Sequence, residues 1–199
     1  MGRPKANSID EATRERLLGS AARAFGSMGF NAARLEDIAA EAGIRRSSLL
    51  YHFDSKQALY TAVLEHAFAE LERSMEAVMA SEDSFEMRHR RLVDGLIAFA
   101  REHLPLLQVL MRSLLDHDAQ GAALLERSFM PLVDRIEQFM RVGAGDALLE
   151  DFPVRAAILQ QMVGHLVHAA MGAAGEMLWR GDAHTWTLAQ ALLRGATRT

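Results

Sequence analysis

Leu35, Ile38, Ala39 and Ala42 return at three- and four-residue spacing, so a helix over this stretch has one apolar stripe and a solvated face of Glu36, Asp37 and Glu41. Gly43 breaks that rhythm. A glycine can take the left-handed conformation that closes a helix, and Ile44 behind it is suited to pin the corner to a core. A second helix is predicted over residues 46–53, with Leu49 and Phe53 four positions apart and facing inward. The pattern then lengthens. Residues 55–80 place Leu59, Ala62, Val63, Phe68, Leu71, Met75 and Val78 on one face, a helix on the order of 39 Å long at ~1.5 Å per residue.

Ser81-Glu82-Asp83-Ser84 reads as a capped break before a fifth helix that reaches about Glu102. Leu104-Pro105 starts a sixth, running to about His117, and residues 118–121 are expected to be a loop. A seventh helix reaches Val142 with a kink at Pro131 in its middle, and residues 143–145 close it. Asp151 and Pro153 open an eighth, which runs unbroken to about residue 179. Asp182 opens a shorter ninth carrying Trp186, Ala189, Leu192 and Leu193. The class is all-α: a three-helix head over residues 1–54 and a six-helix body over 55–199.

Helix, tight glycine turn and second helix form a unit that reads DNA, the second helix entering the major groove by its N-terminal residues. Here those residues are Arg45, Arg46, Ser47 and Ser48. Arginines at a helix N-terminus oppose the macrodipole, so local stability does not account for them, whereas phosphate or guanine contact does.

At this point the chain resembles the TetR family of bacterial transcriptional regulators. The opening helix over residues 14–30, with its Ala21-Ala22 pair, Phe25 and closing Gly29-Phe30, is similar to that family's first helix. Asp37-Ile38-Ala39, Ala42-Gly43-Ile44, Leu49-Leu50-Tyr51-His52-Phe53 and Ser55-Lys56 follow the family motif in order and spacing over about the first sixty residues. The resemblance implies DNA contacts from Tyr51 and His52, a phosphate clamp at Lys56, a two-fold dimer, and an effector pocket in the body. The chain departs from the pattern in three places. Ala33-Arg34 replaces a Thr-Ser or Thr-Thr cap, leaving Asn31 to cap the second helix and Arg34 to contact phosphate. Arg45, Arg46 and Ser47 stand where Ser or Thr, a basic residue and Gly are usual, and Leu50 replaces a phosphate-contacting tyrosine.

Charge sharpens this picture. The chain carries −4 overall, yet residues 1–56 hold nine Lys/Arg against seven Asp/Glu, and the remainder thirteen against nineteen. An acidic body leaves a basic head to make an oriented contact. Only Lys5 and Lys56 are lysines among 22 basic residues. Lys5 and Arg3 lie in a Gly-Arg-Pro-Lys arm that is either a minor-groove hook or a solvated tail. Absence of cysteine excludes disulfides and thiolate metal sites, and with no signal peptide or long apolar run the expected location is the cytoplasm.

In the body, Gly164, His168, Gly172 and Gly175 form a small-residue stripe that would admit a close helix, either a dimer partner, joined by Trp186 and Leu192, or a neighbour in the same chain. Phe99, Leu107, Met111, Phe139, Met140, Met162 and Met171 are either plain core or an adaptable lining for a small hydrophobic effector, with His103, His165 and His168 as either orienting groups or satisfied core histidines. An enzyme is the rival reading. His165 and His168 at i and i+3, and Glu86-x-x-His89, copy parts of metal sites, but no second Glu-x-x-His, phosphate loop, cysteine nucleophile or nucleophile elbow is present. No metal or other cofactor is expected. A third reading keeps the head and makes the body a docking surface for a protein. The sequence thus favours a homodimeric repressor that binds a palindromic double-stranded operator and is released by a small hydrophobic effector.

Overall fold

The computed structural model describes residues 6–115, 119–179 and 187–191. Arg3 and Lys5 of the arm, the start of the ninth helix, Trp186 and Leu192 lie outside those residues. The described elements are helices: α1 (Ala6–Ala32), α2 (Leu35–Glu41), α3 (Arg46–His52), α4 (Lys56–Met79), α5 (Phe85–Glu102), α6 (Leu104–Leu115), α7 (Ala119–Leu124), α8 (Met130–Ala144), α9 (Val154–Ala170) and α10 (Ala173–Trp179). None of them is long and apolar enough to cross a membrane. Packing divides the chain into two compact units, residues 1–67 with 105–124, and residues 68–104 with 125–199.

In the first unit, Leu17, Ala21 and Phe25 of α1 are buried with Ile38 of α2, Leu49 of α3 and Leu59 and Val63 of α4. The corner between α2 and α3 is fixed by the main chain. Gly43 has φ +73°, its N–H donates to the Ala40 carbonyl at 3.0 Å, and the Ile44 N–H reaches back to Ala39 at 2.9 Å. That paired bonding satisfies two carbonyls at the end of α2 and needs a residue that tolerates positive φ, the reason glycine stands there. Ser55 caps α4, accepting from the Ala58 N–H at 3.0 Å. Tyr60 of α4 closes an aromatic cluster with Phe25 and Phe30, at centroid distances of 5.2 and 5.0 Å. The residues of α6 in this unit also meet α1: the Arg112 guanidinium donates to the Gly26 and Ser27 carbonyls at 2.8 and 3.0 Å.

In the second unit α9 packs on both α5 and α8. Ser84 caps α5, accepting from Met87 N–H at 3.3 Å, and the helix buries His89, Leu92, Leu96, Phe99 and Ala100. Arg135 of α8 pairs with Glu72 and Glu76, while Arg155 of α9 pairs with Asp134 and Glu137 of α8.

Two helix expectations are corrected. The seventh helix is not one rod kinked at Pro131, and residues 119–121 are not a loop: α7 gives way to one wide turn over Leu125–Phe129, and α8 starts at Met130 with proline in its first turn. Proline lacks an N–H and its ring crowds the carbonyl four residues back, so the ladder widens before it and restarts around it. Nor is the eighth helix continuous to residue 179. It ends at Ala170, because Gly172 takes φ +54° and donates to the Ala169 carbonyl at 3.2 Å before α10 begins.

Candidate nucleic-acid interface and body cavity

The candidate surface is built on Leu49, which is fully buried and fixes α3 to the first unit, so that the opposite face is presented outward. Arg45, Arg46, Ser47 and Ser48 are all exposed at the N-terminus of α3, and Tyr51 one turn on is 82% exposed. Arg45 is extended and supplies no side-chain cap, so its guanidinium is not engaged by its own helix start. Arg46 Nε lies 3.0 Å from Glu36 Oε1, with both side chains a little over half exposed. Such a pair contributes little to stability and is easily exchanged for a phosphate or base edge. Phe53 is buried as expected, with the Arg14 guanidinium 5.3 Å above its ring.

Two sequence expectations land elsewhere. His52 is not displayed with its neighbours: its side chain is only 11% exposed and Nδ1 lies 3.4 Å from the Asp10 carboxylate on α1. Asn31 does not cap α2, which has no side-chain cap. Instead its main-chain carbonyl accepts from Lys56 Nζ at 3.2 Å, and the ammonium sits 4.6 Å from the Phe30 ring centroid. Lys56 therefore ties the start of α4 to the end of α1, and the ammonium has donors to spare for a phosphate. Arg34 is exposed and extended immediately before α2.

The body contains a cavity of about 100 Å³ among residues of α5, α8 and α9. Of the expected lining it takes Met140, Met162 and His165, and adds Met75, His89, Leu96, Phe152 and Gln161. Phe99, His103, Leu107, Met111 and Phe139 are not part of it. Phe99 is core, tilted against His103 at 4.8 Å; Leu107 and Met111 belong to the first unit; Phe139 packs on Phe85 at 5.5 Å and under the Arg88 guanidinium at 5.0 Å. His89 was visible in the sequence only as half of a metal motif. Among the described residues, no three His, Asp or Glu side chains are grouped so as to hold a metal ion.

Burial pushes the His89 pKa below its ordinary 6.5, with the Glu86 carboxylate opposing in part. The unfolded chain thus takes up this proton more readily than the folded one, so His89 makes stability fall as pH drops below about 6.5 toward the lower folded value. Chemical unfolding at pH 7.5 and 5.5 should show a larger acid loss for the wild type than for His89→Leu. Equal losses would remove His89 from the acid response.

The small-residue stripe is split by the Gly172 break. Gly175 faces His168 within the same chain, where an added Cβ would lie 2.2 Å from the His168 carbonyl oxygen. His168 is buried and stacks on Trp179 at 5.2 Å, while Gly164 is half-buried with open space beside it. Val163, Met171, Met177 and Leu178 of this region are exposed apolar side chains.

The profile of "Bacterial regulatory proteins, tetR family" matches residues 17–63, which run from the buried face of α1 to the first turns of α4. The HTH-type transcriptional regulator RutR of Escherichia coli is 47% identical over 53 residues, 27% of this chain and 25% of that protein. The HTH-type transcriptional repressor KstR2 of Mycolicibacterium smegmatis is 32% identical over 105 residues, 45% of this chain and 51% of that protein. The chain thus spans between a quarter and a half of the length of these relatives. Over nearly the whole chain the fold is similar to that of the fatty acid degradation regulator FadR from Bacillus halodurans, with a TM-score of 0.76 at 14% identity, covering 94% and 97% of the two chains.

Proposed function

We propose that this chain, whose residues 17–63 match the tetR family of bacterial regulatory proteins, is a ligand-responsive transcriptional regulator of that family that binds double-stranded operator DNA as a homodimer in the cytoplasm, most simply as a repressor. The observation that carries this reading is the shared exposure of Arg45, Arg46, Ser47, Ser48 and Tyr51 on a helix anchored by Leu49. Guanidinium groups match guanine edges bidentately, while hydroxyls and a tyrosine suit phosphate. Residues 1–54 are the reading head in this scheme, with Arg34 and Lys56 holding the backbone and Arg3 and Lys5 reaching the adjacent groove. His52 acts from behind by orienting α3 through Asp10.

A two-fold reader needs two heads about one helical turn apart, ~34–36 Å. The exposed Val163, Met177 and Leu178 beside the α9–α10 break support a second copy packing there, with Gly164 offering room for close approach. The effector occupies the cavity lined by Met162 and His165 and prefers the state that does not bind DNA. A tenfold release requires only ~1.4 kcal/mol of such preference.

The experiment is fluorescence anisotropy of the purified protein with its own upstream DNA and a shuffled duplex across a salt series. Tight, sequence-dependent binding by one or two dimers per site is the expected result. Equal and steeply salt-sensitive binding to every duplex tried would count against a specific regulator. Lys56→Ala should weaken cognate and shuffled duplexes alike and reduce the salt slope by about one, as for a phosphate contact. A selective loss on the cognate duplex would instead make Lys56 part of the sequence-reading geometry.

A further inference from the structure

Gln161 and His165 stand one turn apart on α9 and are the polar interruptions, with His89, of an otherwise apolar cavity wall. The His165 Nδ1 pairs with the Gln161 main-chain oxygen. A carbonyl only accepts, so Nδ1 carries the hydrogen, and in the tautomer with its one hydrogen there Nε2 is an acceptor. Among the described residues the Gln161 side-chain oxygen is buried with no hydrogen-bond partner, a cost that a ligand bringing a donor to it would relieve. No Lys, Arg, Asp or Glu lines the cavity among the described residues, so an ionised ligand would be buried without a counter-charge. Burial also disfavours the charged form of His89.

Size narrows the class further. A cavity of ~150 Å³ lined by apolar side chains takes a benzene ring, and this one is about 100 Å³ with Met75, Met140 and Met162 free to adapt around an occupant. From these observations we infer that the cavity binds a compact, uncharged ligand of about one ring in size, carrying a hydroxyl or N–H that donates to Gln161 or His165 from an apolar body. Phenols and short alcohols are of this class, and carboxylates are outside it. A hydroxyl both donates and accepts, so it meets the Gln161 amide in either orientation. The inference rests on the proposal that this cavity is the effector site.

Three probes of one shape isolate the polar group: phenol, toluene and benzoate. In thermal-shift titrations of the full-length protein, phenol should stabilise saturably, toluene should bind at least about tenfold more weakly, and benzoate should give no shift. Gln161→Leu should bring phenol down to the level of toluene, and Met162→Trp, which fills the cavity, should abolish both responses. Should Gln161→Leu fail to fold, the ranking on the wild type decides. Toluene or benzoate equalling phenol, or no saturable response to phenol, would overturn the ligand class. The regulatory reading fails separately: phenol that binds and depends on Gln161, yet leaves operator affinity unchanged, upholds the site chemistry and removes the effector role.

Discussion

Replacing Arg46 with alanine is expected to weaken the cognate operator by about 1–3 kcal/mol, roughly 5- to 150-fold, while changing a shuffled duplex little. Arg46 is in the first turn of α3, the side chain is half exposed, and its one ion-pair partner among the described residues is Glu36 on α2. A guanidinium held only by an exposed carboxylate leaves it at small cost, since pairs of this kind contribute about 0–1 kcal/mol. Glu36 should therefore compete with DNA for the same group. Glu36→Gln is expected to leave thermal stability within about 0.5 kcal/mol of wild type and to tighten operator binding by removing both the competitor and a negative charge from the surface that meets phosphate. Anisotropy titrations of the two variants on cognate and single-base-substituted duplexes check this. Equal losses on all duplexes for Arg46→Ala, with a shallower salt slope, would make Arg46 a phosphate contact and pass the reading of bases to Arg45.

The head was legible in the sequence because its determinants are local. The Gly43 turn, the inward Leu49 and Phe53 and the Ser55 cap are each decided within four or five residues, and all appear where the spacing puts them. Contacts between distant segments were not legible. Nothing near His52 in sequence says that Asp10 draws it inward, and nothing near Lys56 names the Asn31 carbonyl. The body shows the same limit differently. Apolar periodicity marks a side chain as buried without naming its neighbours, so Leu107 and Met140 looked alike, although one lies in the core of the first unit and the other lines the cavity. The helix breaks at Phe129 and Gly172 were hidden because one wide turn or one left-handed residue leaves the three- and four-residue rhythm almost in phase on both sides.

Gly26 is the most consequential of these unseen contacts, and alanine there should behave oppositely to alanine at Gly19 on the same helix. A Cβ on Gly26 would lie 2.8 Å from the Pro105 main-chain oxygen and 3.2 Å from the Gln108 side chain, whereas one on Gly19 meets only the tip of Arg23 at 3.6 Å. Helix propensity favours alanine by about 0.5–1 kcal/mol at either position. At Gly19 that gain stands, and the melting temperature should rise. At Gly26 the overlap is with backbone, which cannot rotate aside, and overpacking of this kind costs about 1–3 kcal/mol. The net expectation is a loss, at roughly 2–4 °C for each kcal/mol in a chain of this size. Arg112 reinforces the same contact from the next turns of α6 through the Gly26 and Ser27 carbonyls. Because that side chain is exposed, Arg112→Met should cost less than Gly26→Ala. Combining the two should cost less than their sum, since the displaced helix has already weakened the bonds that Arg112 makes. Thermal melts of the four variants suffice. A Gly26→Ala protein that gains as much as Gly19→Ala would show that α1 and the Pro105 carbonyl do not approach this closely in solution. The predicted loss, accompanied by weaker operator binding at a temperature where both proteins are folded, would make this joint a support of the reading head as well as of the unit that contains it.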